Sequence, residues 1–218
     1  MEGRWRIELF GQLRVGRGDA APLPLPRQKA TALLAYLAYH TRHPHAREGL
    51  IDLLWPEADL EEGRRNLRAQ LHLLRELLAD PEGDAGALLI ADRTTVHLDP
   101  AAFTTDVAEF HAALQAAARA ADLPDRVRWL EAAVALYRGE LLPGYYEPWV
   151  LTERQALAEL YLGALRQLSA ARAAARRAAW NSATSVVNMA GSSCTVVRSA
   201  SRRAPASLSG PARSSRRT

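Results

Sequence analysis

Residues 59–79 of this sequence, DLEEGRRNLRAQLHLLRELLA, combine a regular leucine spacing with a run of arginines. At about 100° per residue, five leucines fall within one narrow arc of a helix and two more widen that arc on one side. The five are Leu60, Leu67, Leu71, Leu74 and Leu78, and the two are Leu73 and Leu77. This spacing predicts a helix that packs through its leucine face.

The neighbouring arc of the same helix is basic, and its first turn is acidic. The basic residues are Arg64, Arg65, Arg68, His72 and Arg75, and the acidic residues are Asp59, Glu61 and Glu62. Acids in the first turn suit the helix dipole. A helix that packs through leucines and offers arginines to a polyanion is typical of DNA recognition. The alternative is a solvated face, which is the usual role of a basic arc on an amphipathic helix.

Charge is distributed unevenly along the 218 residues. The chain has a net charge of +4, but residues 1–170 are net −5 and residues 171–218 carry nine arginines and no acid. The basic character therefore belongs to the C-terminal segment, and any DNA affinity of the remainder must come from local clustering. Residues 171–218 lack a sustained amphipathic period, which predicts a disordered basic tail, although residues 170–180, AARAAARRAAW, could extend the preceding helix.

Several further elements surround the arginine-bearing stretch. Alternating residues predict two strands within residues 5–15, with a turn at Gly11 and Gln12. Helical spacing follows in residues 27–40 and again from residue 47 to a stop at Pro56. Residues 87–98 predict a hairpin with Arg93 near its tip. Two strands, two helices, the basic helix and a hairpin together predict an α+β winged helix-turn-helix domain over residues 1–100.

From residue 103 onward the spacing of apolar residues is helical. Three helices are predicted within residues 103–120, 125–143 and 147–169, with Thr104 or Thr105 capping the first. Short connections predict an all-α, tetratricopeptide-like domain of helical hairpins over residues 101–170.

The remaining composition argues against several classes of protein. The 48% hydrophobic content supports a core, while no segment resembles a membrane span or a secretory signal, so a cytoplasmic protein is expected. Cys194 is the single cysteine, which excludes an internal disulfide or a cysteine-based zinc cluster. His40, His43 and His45 could hold a zinc ion only weakly, and solvated histidines are favoured. No nucleotide, metalloprotease or hydrolase motif is present, so neither an enzyme nor a cofactor is predicted.

Taken in order, these segments resemble a known family, the actinobacterial antibiotic regulatory proteins, or SARP family. Its members join an OmpR/PhoB-type winged helix to a bacterial transcriptional activation domain. The segments that carry the resemblance are LFGQLRV, RQKATALLAYLAYH, REGLIDLLWP, RRNLRAQLHLLRELL, LLIADRTTVHLDP, DVAEFHAAL, LEAAVALYRGELLPGYYEPWV and ERQALAELYLGALRQL, and they cover residues 4–168.

The resemblance implies a sequence-specific transcriptional activator that binds direct repeats of double-stranded DNA near a promoter and recruits RNA polymerase. Protein contacts and self-association as a homodimer would fall to the tetratricopeptide-like domain. The DNA contacts that it implies are Arg64, Arg65, Asn66, Arg68, Gln70, His72 and Arg75 on the basic helix, with Arg93 on the wing.

The sequence departs from the family pattern after about residue 170, where acidic residues stop. The departure predicts a truncated or out-of-frame second domain. Two other functions remain open from the residues alone. One is a helical protein-interaction module whose basic helix docks an acidic partner. The other is a non-functional remnant of a regulator.

Overall fold

The structure is a computed structural model, and it describes residues 4–18, 21–25, 29–41, 43–79 and 88–200. The described residues up to Arg172 form one compact unit, and the described residues from Ala173 onward belong to a second. In chain order the elements are β1 (Trp5–Glu8), β2 (Arg14–Arg17), α1 (Lys29–Tyr39), β3 (His45–Ala46), α2 (Arg47–Leu54), α3 (Leu60–Leu77), β4 (Leu89–Ala91), β5 (Thr95–Leu98), β6 (Phe103–Thr105), α4 (Asp106–Arg119), α5 (Leu123–Leu136) and α6 (Pro148–Ala200).

The first sheet has the strand order β2-β1-β6. β1 and β2 form the predicted antiparallel pair, with Ile7 opposite Val15. Ile7 and Leu9 are fully buried, as the alternation of the sequence predicts for one face of β1. The chain therefore begins with a strand whose apolar side belongs to the main core.

The third strand of this sheet lies where the sequence predicted the start of a helix. Residues 103–105 form β6, which runs parallel to β1 with Phe103 opposite Trp5, so the region after residue 100 is not purely α-helical. The three residues satisfy their backbone groups by pairing with an edge of β1, and the helix begins only at Asp106. Thr105 caps it by accepting a hydrogen bond from the backbone N–H of Ala108 at 3.0 Å. The packing is therefore continuous across the predicted boundary at residue 100.

Asp106 connects the first sheet to α4 and is buried. Its Oδ1 accepts hydrogen bonds from the backbone N–H of Leu9 at 2.8 Å and of Val107 at 2.9 Å. Its Oδ2 accepts a third from the N–H of Phe10 at 2.9 Å. One carboxylate thus satisfies two N–H groups at the end of β1 and one at the start of α4.

The second sheet has the order β3-β5-β4. β4 and β5 form the predicted antiparallel hairpin, with Ile90 opposite His97. The two-residue strand β3 was not predicted; His45 pairs with Val96 and so places the start of α2 beside the hairpin.

The leucine face of α3 is confirmed in its central turns. Leu67, Leu71 and Leu74 are each 1% exposed, and Leu78 beyond the helix is also buried. Leu60 and Leu73, however, are 46% and 41% exposed, so the prediction was wrong for these two. The reason for Leu60 is that α3 meets α2 one turn later, at the buried Gly63, which leaves the first turn outside the contact.

The three later helices pack together in part through a small second cluster. It contains Ala117 of α4, Leu130 of α5, and Ala164 and Leu168 of α6. Asp122 caps α5 by accepting from the N–H of Asp125 at 2.7 Å. Within the described residues, no helix is long and apolar enough to cross a membrane.

α6 continues to Ala200, which agrees with the helix extension through residues 170–180, whereas the predicted disorder of residues 181–200 was wrong. The residues directly after 170 are mostly alanine and arginine, which are among the best helix formers, and no proline occurs before Pro205. This high helix propensity favours the continuation of α6 through residues 170–180. The rest of the predicted tail, residues 201–218, lies outside the described residues.

Candidate nucleic-acid interface

α3 presents its basic arc on the side away from the core. Asp59 begins the helix by accepting a hydrogen bond from the N–H of Glu62 at 2.8 Å, which sets the start of the first turn. The side chains of Arg64, Arg65, Arg68, His72 and Arg75 are all exposed. Because the buried leucines determine the rotation of α3 about its axis, they also determine which way these arginines point.

The hairpin tip is held by a single carboxylate. Oδ1 of Asp92 accepts from the N–H of Thr94 at 2.7 Å and from the N–H of Thr95 at 2.6 Å, and Oδ2 accepts from the Thr95 hydroxyl at 2.9 Å. These hydrogen bonds, the Thr95 N–H first, hold the pKa of Asp92 well below its usual range. The turn thereby holds its backbone in place while Arg93 at the tip stays exposed.

The hairpin tip is also tied to the start of α2. The N–H of Arg47 donates to the carbonyl of Thr94 at 2.9 Å. The guanidinium Nε of Arg47 donates to the carbonyl of Asp92, also at 2.9 Å. These two contacts, with the β3–β5 pairing, fix the position of the tip relative to α2 and, through α2, relative to α3.

A groove of about 470 Å³ opens where α2, α3 and the hairpin tip meet. Its side chains include Arg47 from α2, Arg64 and Arg68 from α3, and Arg93 from the tip, with Glu48 as the acid. Four guanidinium groups from three elements therefore line one concave surface, although residues 1–170 as a whole are net negative. Such a local concentration of arginine suits a ligand that carries several phosphates.

The sequence-derived candidates fall into two sets. Arg64, Arg68 and Arg93 line the groove, while Arg65, Asn66, Gln70, His72 and Arg75 lie elsewhere on α3. Asn66 and Gln70 are half-buried, and Oε1 of Gln70 is buried with no hydrogen-bond partner among the described residues. His72 lies 3.3 Å from Glu76, the carboxylate one turn along the helix.

Arg47 is the groove residue that the sequence reading missed. It is the first residue of α2, where the helix dipole disfavours a cation. That unfavourable placement was the available signal that the arginine serves a contact outside its own helix.

The described residues contain no group of three or more histidine, cysteine or acidic side chains arranged to hold a metal ion. His40 and His45 lie with their ring centroids 6.2 Å apart among Tyr36 and Trp149. Burial lowers the pKa of His40, which favours its neutral form.

Comparison with known proteins places these elements in a family context. Residues 105–189 match the family described as the bacterial transcriptional activator domain. The match begins at Thr105, one residue before Asp106. A search of curated proteins gives no match. Among solved structures, the chain is similar to Mycobacterium tuberculosis EmbR in complex with a low affinity phosphopeptide, with 30% identity and a TM-score of 0.68.

The similarity to EmbR covers 81% of this chain and 47% of that one, so this chain spans about half the length of the EmbR chain. A mixed α/β N-terminal part followed by a helical part, as in the element order described above, is consistent with an EmbR-like fold. The domain match and the EmbR-like architecture agree with the resemblance seen in the sequence. Residues 105–189 therefore match a bacterial transcriptional activator domain, within a chain whose sequence and fold are similar to those of part of EmbR.

Proposed function

We propose that this chain is a SARP-like transcriptional activator that binds double-stranded DNA sequence-specifically, with α1 to α3 and the β4–β5 hairpin acting as a winged helix-turn-helix of the OmpR/PhoB type. The single observation that carries the proposal is the groove in which arginines of α2, α3 and the hairpin tip converge. The alternative, a solvated basic face, would involve one helix alone and would not bring arginines from three elements together. A duplex, which carries phosphates along two strands, would engage all three elements at once.

In the proposed complex α3 lies in the major groove. Its 18 residues give a helix about 27 Å long, and a B-DNA major groove about 12 Å wide admits a helix with its side chains. Arg65 and Arg68, exposed on adjoining turns, would contact base edges. Arg93 would reach a phosphate or the neighbouring minor groove. The other contacts in this proposal are Arg64, Asn66, Gln70, His72 and Arg75, and Arg47 joins them as a phosphate contact.

The helical part would provide the protein contacts of an activator. We assign to α4, α5 and the following helix a tetratricopeptide-like arrangement that recruits RNA polymerase and supports a homodimer on direct repeats. The support is the match of residues 105–189 to a transcriptional activator domain, together with the joint packing of the three helices. Such a protein works where the chromosome is, in the cytoplasm.

Replacing Arg65 or Arg68 by alanine is expected to weaken duplex binding by roughly 1 to 3 kcal/mol for each base-contacting arginine. A duplex is first selected by the full-length protein from a random pool. The affinity of each variant for that duplex is then measured by gel-shift titration at several salt concentrations. A lost base contact lowers the preference for the selected duplex. A lost phosphate contact instead weakens binding to all sequences alike and flattens the salt dependence by about one unit.

Arg166→Ala is the matched control, because Arg166 is an exposed arginine of α6 outside the groove. It removes the same charge and keeps the basic residues 171–218, so non-specific attraction by that segment is equal in all variants. Equal affinities of the control, the Arg65 variant and the Arg68 variant would remove the proposal. Binding of an acidic protein without duplex binding would favour the interaction-module hypothesis instead.

A further inference from the structure

Arg64 differs from the other arginines of α3 because acids hold it. Its Nη1 donates to Oε1 of Glu61 at 2.7 Å, and its Nη2 lies 3.5 Å from Oε1 of Glu48. Among the described residues, neither Arg65 nor Arg68 has a carboxylate within ion-pair distance. Unlike Arg65 and Arg68, Arg64 must therefore exchange protein partners before it can contact a ligand.

Glu48 is placed where its charge opposes a polyanion. It lies in the first turn of α2, its side chain is 70% exposed, and it lines the groove beside Arg47, Arg64 and Arg68. A phosphate that approached Arg64 there would come within a few ångströms of Glu48. Like charges at that range, well inside the screening length of about 8 Å at physiological salt, repel each other.

A base pair offers this pair of side chains something that a phosphate does not. Guanine presents two acceptors, O6 and N7, to an arginine, and cytosine presents its N4 amino group as a donor to a carboxylate. A G·C pair can therefore satisfy Arg64 and Glu48 together. A phosphate satisfies only Arg64 and leaves the Glu48 charge uncompensated.

We propose that Glu48, acting with Arg64, is a specificity-determining residue that weakens binding to arbitrary duplex DNA and is compensated at the proper site by a G·C pair. The ion pairs in the free protein are exposed, so they are weak enough to be exchanged on binding. This inference rests on the proposed function, since it presupposes that the groove receives DNA.

The test compares Glu48→Gln with the wild-type protein on two duplexes of equal length, one selected from a random pool by the wild-type chain and one of arbitrary sequence. Glu48→Gln is expected to raise affinity for the arbitrary duplex roughly threefold or more and to steepen its salt dependence by up to about one unit. Affinity for the selected duplex should stay equal or fall. The ratio of the two affinities therefore shrinks.

Glu62→Gln is the matched control, because Glu62 is an exposed acid in the first turn of α3 that neither contacts Arg64 nor lines the groove. It should change the ratio little. An equal rise on both duplexes, or a Glu48→Gln protein that behaves like the control, would overturn the inference while leaving DNA binding intact. If the wild-type chain selects no duplex, the proposed function fails as well, so the two failures can be told apart.

Discussion

Asp106→Ala is expected to destabilise the fold by about 3 to 5 kcal/mol, because three backbone N–H groups lose their acceptor at once and each such loss costs about 1 to 3 kcal/mol when the donor is buried. Leu9 and Phe10 are buried residues at the end of β1, where the protein gives little access to replacement water. For a unit of this size, the melting temperature should fall by roughly 10 °C. Urea unfolding followed by circular dichroism measures the change.

Asp122→Ala is the control for this prediction. Asp122 also accepts a backbone N–H at the start of a helix, but it is exposed, so its removal should cost only about 1 kcal/mol. Asp106→Asn should fall between the two alanine variants, because its amide keeps one acceptor and turns an N–H donor toward another donor. If Asp106→Ala were no worse than Asp122→Ala, the carboxylate would not be what connects β1 to α4.

The same carboxylate gives the stability a pH dependence of known sign. Burial raises the pKa of Asp106 above its ordinary value of 3.8, against the opposing effect of the three N–H donors. The folded protein therefore binds this proton more tightly than the unfolded chain does. The contribution is fully present below about pH 3.8 and is lost as pH rises through the folded pKa. The stability advantage of wild type over Asp106→Asn should accordingly shrink as pH rises above 3.8; a constant advantage would contradict the shift.

Gly63→Ala is expected to destabilise the protein by about 1 to 2 kcal/mol, although alanine normally stabilises a helix by about 1 kcal/mol over glycine. A Cβ built on Gly63 would overlap the Cγ2 methyl of Ile51. That methyl belongs to a buried, β-branched side chain, which has little freedom to rotate away. α2 and α3 would have to separate, and the groove between them would change width. Duplex affinity of the folded variant should therefore fall.

Gly49→Ala provides the opposite result with the same chemical change. Gly49 lies inside α2, and a Cβ there would meet no atom within 4 Å, so the variant should gain up to about 1 kcal/mol. Both midpoints are read from urea titrations of the full chain. A stabilised Gly63→Ala protein would show that α2 and α3 do not touch as closely as described.

The sequence predicted those elements whose signals are local. The leucine spacing and the acidic first turn predicted α3, and the polar residues 92–94 between two strand-forming segments predicted the hairpin. Arg93 follows from the turn. Among the predicted contacts on α3, the five basic residues were identified from the helical wheel, and the structure places them on its exposed side. Asn66 and Gln70 came only from the family resemblance.

Features that depend on distant pairing could not be read in this way. β6 has only three residues, and what makes it a strand is β1, nearly a hundred residues earlier. The burial of Asp106 depends on the same pairing, since an aspartate next to a threonine otherwise predicts an exposed cap. Arg47 lines the groove because the hairpin tip contacts the start of α2, and Glu48 is the next residue of that helix. Local signals thus predicted the helix and the hairpin that form the groove better than they predicted which residues line it.

The parallel pairing of β1 with β6 also constrains how the protein is made. Because translation proceeds from the N-terminus, the first strand leaves the ribosome long before its partner exists and must wait for about a hundred further residues. Such a long sequence separation slows folding, because a large loop must close, at a cost in entropy, before the two strands can pair. The sheet that contains β1 would therefore be completed only when residues 103–105, at the start of the segment that matches an activator domain, have left the ribosome.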